Sequence, residues 1–188
     1  MERRFYENAL VRAEEPKDNE APRLHCRFAT FTGLYPLGPE CFERIDPHAM
    51  DDTVNDDIRV LWNHNSDIVL GRSGNSTAKL YIVEGEGLDG DTDINTEDRA
   101  AMDGYARVKR GDVSGCSIGF DILDDDIEHR SDGSVCYVIK KIKLYECSVC
   151  TFPAYQATSA QARSDETARA RLWKLRMKER IKNALKSS

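Results

Sequence analysis

The sequence predicts a mainly β fold with helical elements (α+β), arranged as an antiparallel, closed or nearly closed β-barrel with helices packed on it. Three observations carry this expectation. Strand-like runs recur through the first two-thirds of the chain, turn-forming residues separate them at short intervals, and only one segment there reads as a helix.

The elements follow in order. Residues 22–30 alternate, with Leu24, Cys26 and Phe28 on one side, as a half-buried strand does. Gly33, Pro36, Gly38 and Pro39 mark a loop. Residues 41–45 form a short strand or helical turn that ends before Asp46-Pro47. Residues 58–62, Ile-Arg-Val-Leu-Trp, are rich in β-branched and aromatic side chains and read as a strand, with 68–72 as its antiparallel partner. The residues between them, 63–67, make a hairpin loop. Another strand covers 79–83. Thr96 is a good helix N-cap, followed by acidic residues suited to a first turn, and predicts a helix over 97–109 that stops at Gly111. Strands at 113–123, 135–144 and 147–152 complete the set. The acidic run at Asp124 and the Ser131-Asp132-Gly133-Ser134 segment read as exposed connections.

Composition divides the chain. Of 188 residues, 40% are hydrophobic and 32% charged, which suits a folded protein rather than a disordered one. No apolar run is long enough to span a bilayer, and the N-terminus lacks an apolar signal core, so a cytosolic setting is expected. From Arg163 onward nine Lys/Arg face three Asp/Glu, whereas the whole chain carries −6; residues 1–162 are therefore strongly acidic. The expected organisation is one domain with its own core over 1–157 and an appendage over 158–188. That appendage is a small, polar linker and then a basic amphipathic helix striped by Trp173, Met177, Ile181, Ala184 and Leu185.

Six cysteines in a cytosolic setting do not suggest a disulfide framework. Cys147-Ser148-Val149-Cys150 matches C-x-x-C, but no second Cys/His pair stands at ligand spacing, so no metal is expected. Asp89-Gly90-Asp91-Thr92-Asp93 opens like a calcium loop, yet Ile94 and Ala100 occupy positions that need Gly and Glu.

Two segments could carry chemistry. One is Leu61-Trp62-Asn63-His64-Asn65, which sets a histidine just past an apolar strand. The other is Val113-Ser114-Gly115-Cys116-Ser117-Ile118-Gly119, a serine-bearing helix-to-strand junction. A serine nucleophile needs a neighbouring base, for which imidazole is suited by its ordinary pKa; a third group holds the imidazole's tautomer. The glycines at 111, 115 and 119 would leave backbone N–H groups uncovered for an oxyanion. Gly115-Cys116-Ser117-Ile118-Gly119 also fits G-x-S-x-G, but the serine leads into a strand and the histidine precedes it, which excludes the α/β-hydrolase elbow.

In order along the chain, five segments resemble the prohead (procapsid) maturation serine proteases of tailed phages. They are Phe42-Glu43-Arg44-Ile45-Asp46-Pro47-His48-Ala49-Met50, Val60 to Asn65, Val69-Leu70-Gly71-Arg72, Arg110 to Phe120, and Tyr145-Glu146-Cys147-Ser148-Val149-Cys150-Thr151-Phe152-Pro153-Ala154-Tyr155. The Val-Ser-x-Cys-Ser-x-Gly pattern is similar to the nucleophile strand of herpesvirus maturation proteases, which implies an assemblin-like barrel. Carried over residue by residue, the resemblance implies His64 as base, Ser114 as nucleophile with Ser117 as the second candidate, and Glu146 as the acid. On a strand Ser114 and Ser117 point to opposite faces. Pairing with Lys141 or Lys143 is the rival reading of Glu146.

The resemblance further implies a serine endopeptidase that cleaves scaffold, the scaffold-like arm of the major capsid protein, and itself. It would act inside the procapsid in the host cytoplasm, without cofactor or metal, and with no membrane or specific nucleic acid as partner; a homo-oligomer is compatible with it. The basic tail would dock on scaffold or capsid protein or be removed by self-cleavage. The rival functions are a non-catalytic capsid- or scaffold-binding module on the same barrel and a small-molecule hydrolase.

Overall fold

The computed structural model describes residues 1–4, 10–16, 21–38 and 40–152. Among these, two β-sheets enclose one principal core, with a single α-helix against it. The strands are β1 (Glu2–Arg4), β2 (Val11–Glu14), β3 (Arg23–Thr30), β4 (Tyr35–Gly38), β5 (Cys41–Ile45), β6 (Arg59–Trp62), β7 (Asn65–Arg72), β8 (Ala78–Val83), β9 (Gly87–Asp93), β10 (Gly115–His129) and β11 (Val135–Cys150). The helix, α1, is Arg99–Arg110.

The larger sheet runs β1-β10-β11-β5-β4, with β6 also on β11 and β7 on β6. Its spine is the long β10–β11 hairpin. β5 and β6 both join β11 in parallel, β5 along Val135–Ile139 and β6 along Glu146–Val149. The smaller sheet, β2-β3-β9-β8, is antiparallel throughout. The expected closed or nearly closed antiparallel barrel is thus corrected: among the described strands neither sheet closes on itself, and the larger one is mixed. The mixed character comes from two parallel pairings, in which β5 and β6 take successive stretches of one edge of β11 where an antiparallel barrel would place a single antiparallel neighbour.

Apolar side chains from both sheets form the core. Phe28, Leu24 and Leu88 of the smaller sheet meet Ile118, Phe120 and Val149 of the larger one. Burying each such side chain contributes about 1.5–3 kcal/mol. On α1 the buried residues Ala101, Gly104, Tyr105 and Val108 recur at helical spacing and face this core. The Tyr105 hydroxyl donates to the Glu14 carbonyl at 2.9 Å, tying α1 to β2. The helix cap is Asp98, not Thr96: its carboxylate accepts from the Ala100 and Ala101 amides at 2.8 and 3.2 Å. Gly111 ends the helix at φ +86°.

Three strands run through stretches that resemble turns or solvated acid. β4 contains Pro36 and lies at the sheet edge, where a missing N–H is tolerated. β9 is Gly-Leu-Asp-Gly-Asp-Thr-Asp, and its acids are paired across the sheet: Asp89 with Arg27, Asp91 with His25 and Asp93 with Arg23, each at 2.7 Å. β10 continues past residue 123 through Asp124, Asp125 and Asp126 to His129, with Asp124 opposite Lys141. The strands expected at 135–144 and 147–152 are one strand, β11, interrupted by a bulge. The expected C-terminal linker and helix lie outside the described residues.

Candidate active site

His64 sits in a hairpin turn of two residues, not five. Trp62 pairs with Asn65, and Asn63 and His64 between them have φ +53° and +58°. This is the left-handed pair that a tight hairpin requires. Asn and His are among the few non-glycine residues that enter this region readily. Local contacts hold the turn. The Asn63 amide N–H donates to the Val149 carbonyl at 2.8 Å. Its side chain accepts from the Thr151 amide at 2.8 Å and donates to the Thr151 hydroxyl at 3.1 Å. Just before the turn Trp62 lies under α1. A Cβ on Gly104 would stand 3.0 Å from the indole, and the Arg107 guanidinium is 5.9 Å from the ring centre.

Glu146 meets His64 because β11 bulges beside it. Phe120 pairs with Leu144 but Gly119 pairs with Glu146, so Tyr145 is the extra residue. The bulge turns Leu144 into the core and Glu146 onto the opposite face, though they are two residues apart. There the His64 Nδ1–H donates to Glu146 Oε1 at 2.5 Å, with the two side chains only 14% and 6% exposed. An ionised carboxylate can only accept, so this contact selects the tautomer that carries its proton on Nδ1 and leaves Nε2 to act as base. Lys141 and Lys143 pair elsewhere, with Asp52 at 2.5 Å and Asp56 at 2.6 Å, so the rival pairing of Glu146 is not formed.

The two candidate serines are placed differently. Ser117 lies opposite Ser148, and Gly119 opposite Glu146, in the β10–β11 ladder. Directly opposed residues share a face, so Ser117, Ser148 and Glu146 project to the side on which His64 is bound. Ser117 is 2% exposed. Ser114 precedes β10 and is exposed; its carbonyl accepts from the Val11 amide at 3.0 Å. No hydrogen bond links Ser114 to His64 or Glu146 among the described residues. The opposite face of β10 carries Cys116, Ile118 and Phe120 into the core, as the alternation predicts.

Two features of the site escape the sequence reading. Gly119 does not chiefly expose backbone; a Cβ there would stand 2.3 Å from Glu146 Oε1, so its absence gives the carboxylate its seat. Ser148, fully buried, donates to Glu146 Oε2 at 2.6 Å. The signal available for it was a polar Glu-x-Ser spacing on one face of an otherwise apolar strand. Burial pushes the thiols of Cys116 and Cys147 upward, which keeps them protonated on the core side of the same strands.

A buried carboxylate that fixes an imidazole, with a serine on the same sheet face, is the constellation that serine hydrolases use to activate a hydroxyl. The sequence model of the caudovirus prohead serine proteases matches residues 8–171, and the chain belongs to that family. No curated protein and no solved structure matches the chain.

Proposed function

We propose that this protein is the endopeptidase of procapsid maturation, with Ser117 as nucleophile, His64 as general base and Glu146 as the group that orients and charges-balances the base. Family membership supports a serine protease acting in the phage procapsid. The observation that carries the residue assignment is the 2.5 Å contact between His64 and Glu146 on the face that Ser117 shares. The same observation favours Ser117, whose face in the β10–β11 ladder is that of Glu146, over Ser114, which stands before the strand and is exposed.

In this reading Ser117 Oγ attacks the scissile carbonyl while His64 Nε2 takes its proton. The imidazolium, stabilised by Glu146, returns that proton to the departing amine, leaving an acyl-enzyme. Water then enters; His64 takes one of its protons, the hydroxide adds to the ester, and Ser117 leaves with the proton back on Oγ. The substrates are scaffold, the scaffold-like arm of the major capsid protein, and the chain itself.

Cleavage of cognate capsid protein by single variants tests the assignment. Ser117→Ala and His64→Ala should each lower kcat by about 10⁶-fold, Glu146→Gln by about 10⁴-fold through loss of the required tautomer, and Ser114→Ala by little. Full activity in Ser117→Ala with loss in Ser114→Ala would move the nucleophile to Ser114. Cleavage by none of the forms, with capsid binding retained, would favour the non-catalytic module.

A further inference from the structure

We infer that Ser148 is a positioning residue that locks the acid and the base of this site to one another. The inference rests on the proposed roles of His64 and Glu146. The Ser148 hydroxyl has one proton, and it is given to Glu146 Oε2 at 2.6 Å. A lone pair of the same oxygen accepts from the His64 backbone N–H at 3.1 Å. Ser148 therefore touches both members of the pair: the side chain of one and the main chain of the other.

The physical need for such a group lies in the torsions involved. The terminal torsion of a glutamate is soft, with broad wells, so a single hydrogen bond leaves its carboxylate plane free to swing. Here each oxygen has its own donor: His64 Nδ1 on Oε1 and Ser148 on Oε2. Rotation about that torsion would break both. The His64 backbone, at φ +58°, is held in a sparsely populated region and gains a fixed acceptor from the same serine. Ser148 is 0% exposed, and its neighbours Cys147 and Val149 point into the core, so it is anchored on a rigid strand rather than on a loop. Its proton is committed to the carboxylate, which assigns it to positioning and leaves nucleophilic attack to another serine.

The test uses the full chain, assayed on capsid protein and examined by proton NMR for the far-downfield Nδ1–H signal of His64. In Ser148→Ala, kcat should fall about 10²-fold, the loss expected when reacting groups shift by roughly 1 Å. KM should be unchanged and the downfield signal lost. Ser148→Cys keeps the shape with a weaker donor and should fold with an intermediate fall in kcat. Wild-type kcat and an intact signal in both variants would overturn the proposal, as would a raised KM at constant kcat. Recording the signal in Ser117→Ala separates the two readings. If that variant stays active, the nucleophile assignment fails, while loss of the signal in Ser148→Ala still upholds the lock.

Discussion

Gly119 shows how much of this site depends on one missing methyl. The Glu146 carboxylate lies across that glycine, and an added Cβ would come within 2.3 Å of Oε1 and 2.9 Å of the carboxyl carbon. Contacts that short do not persist, and all three nearest atoms belong to the Glu146 side chain, so it is the acid that must move. Gly119→Ala should therefore fold, because the backbone at 119 needs no positive φ, yet lose activity. A displacement of about 1 Å from the imidazole corresponds to roughly a 10²-fold fall in kcat. Steady-state kinetics on capsid protein, with a thermal melt as control, measures it. A fully active Gly119→Ala would mean that the seat is not required.

At the scale of elements, the β6–β7 hairpin delivers the base, and Asn63 pins that hairpin to the end of β11. Asn63→Gly keeps the left-handed backbone but removes both side-chain bonds to Thr151. Asn63→Ala removes the bonds and also strains the turn. Each lost bond is worth about 0.5–1.5 kcal/mol, so Ala should destabilise more than Gly in chemical denaturation, and both should slow catalysis. Equal stability of the two variants would show that the turn carries no backbone strain.

Much of this architecture was legible beforehand. Residues 23–30, 59–62 and the α1 segment announce themselves by alternation, β-branched content and helix end signals. Other elements were not, and the reasons are specific. β9 reads as solvated acid because its Arg and His partners lie more than sixty residues away in β3. The two-residue turn at Asn63 was hidden because β7 opens with the polar residues Asn65, Ser66 and Asp67. The bulge at Tyr145, which flips Glu146 out of the core, depends on the register with β10 and has no local signature. Within the site, the resemblance led to His64 and Glu146. The serine that best matches their face was the second candidate, because strand parity becomes decisive only once the face of Glu146 is known.

Across the whole molecule, two sheets back the site through their shared core, and within the larger sheet a cross-strand anchor ties the end of β5 to β11. Asp46 accepts from Lys140 at 2.6 Å and from the His48 amide at 3.1 Å, closing the turn after β5. The Lys140 hydrogen bond, opposed by burial, holds the Asp46 carboxyl below the ordinary aspartate range. Because its folded-state pKa is depressed, this group stabilises the fold above the unfolded value of about 3.9, and that contribution is lost as pH falls through the lower folded value. With Lys140 well exposed, the gain is at most about 1 kcal/mol. Asp46→Asn should lower stability at pH 7 and narrow its difference from the wild type as pH falls below about 4. A difference that stays constant from pH 7 to pH 2 would assign the effect to packing rather than charge.

The most direct measurement is covalent labelling of the active protein by an organophosphonate that traps activated serines, followed by mass spectrometry of the modified peptide. A single adduct on Ser117 is expected, formed at a rate that collapses in His64→Ala and Glu146→Gln. An adduct on Ser114, or labelling of Ser117 at the same rate without His64, would contradict the assignment.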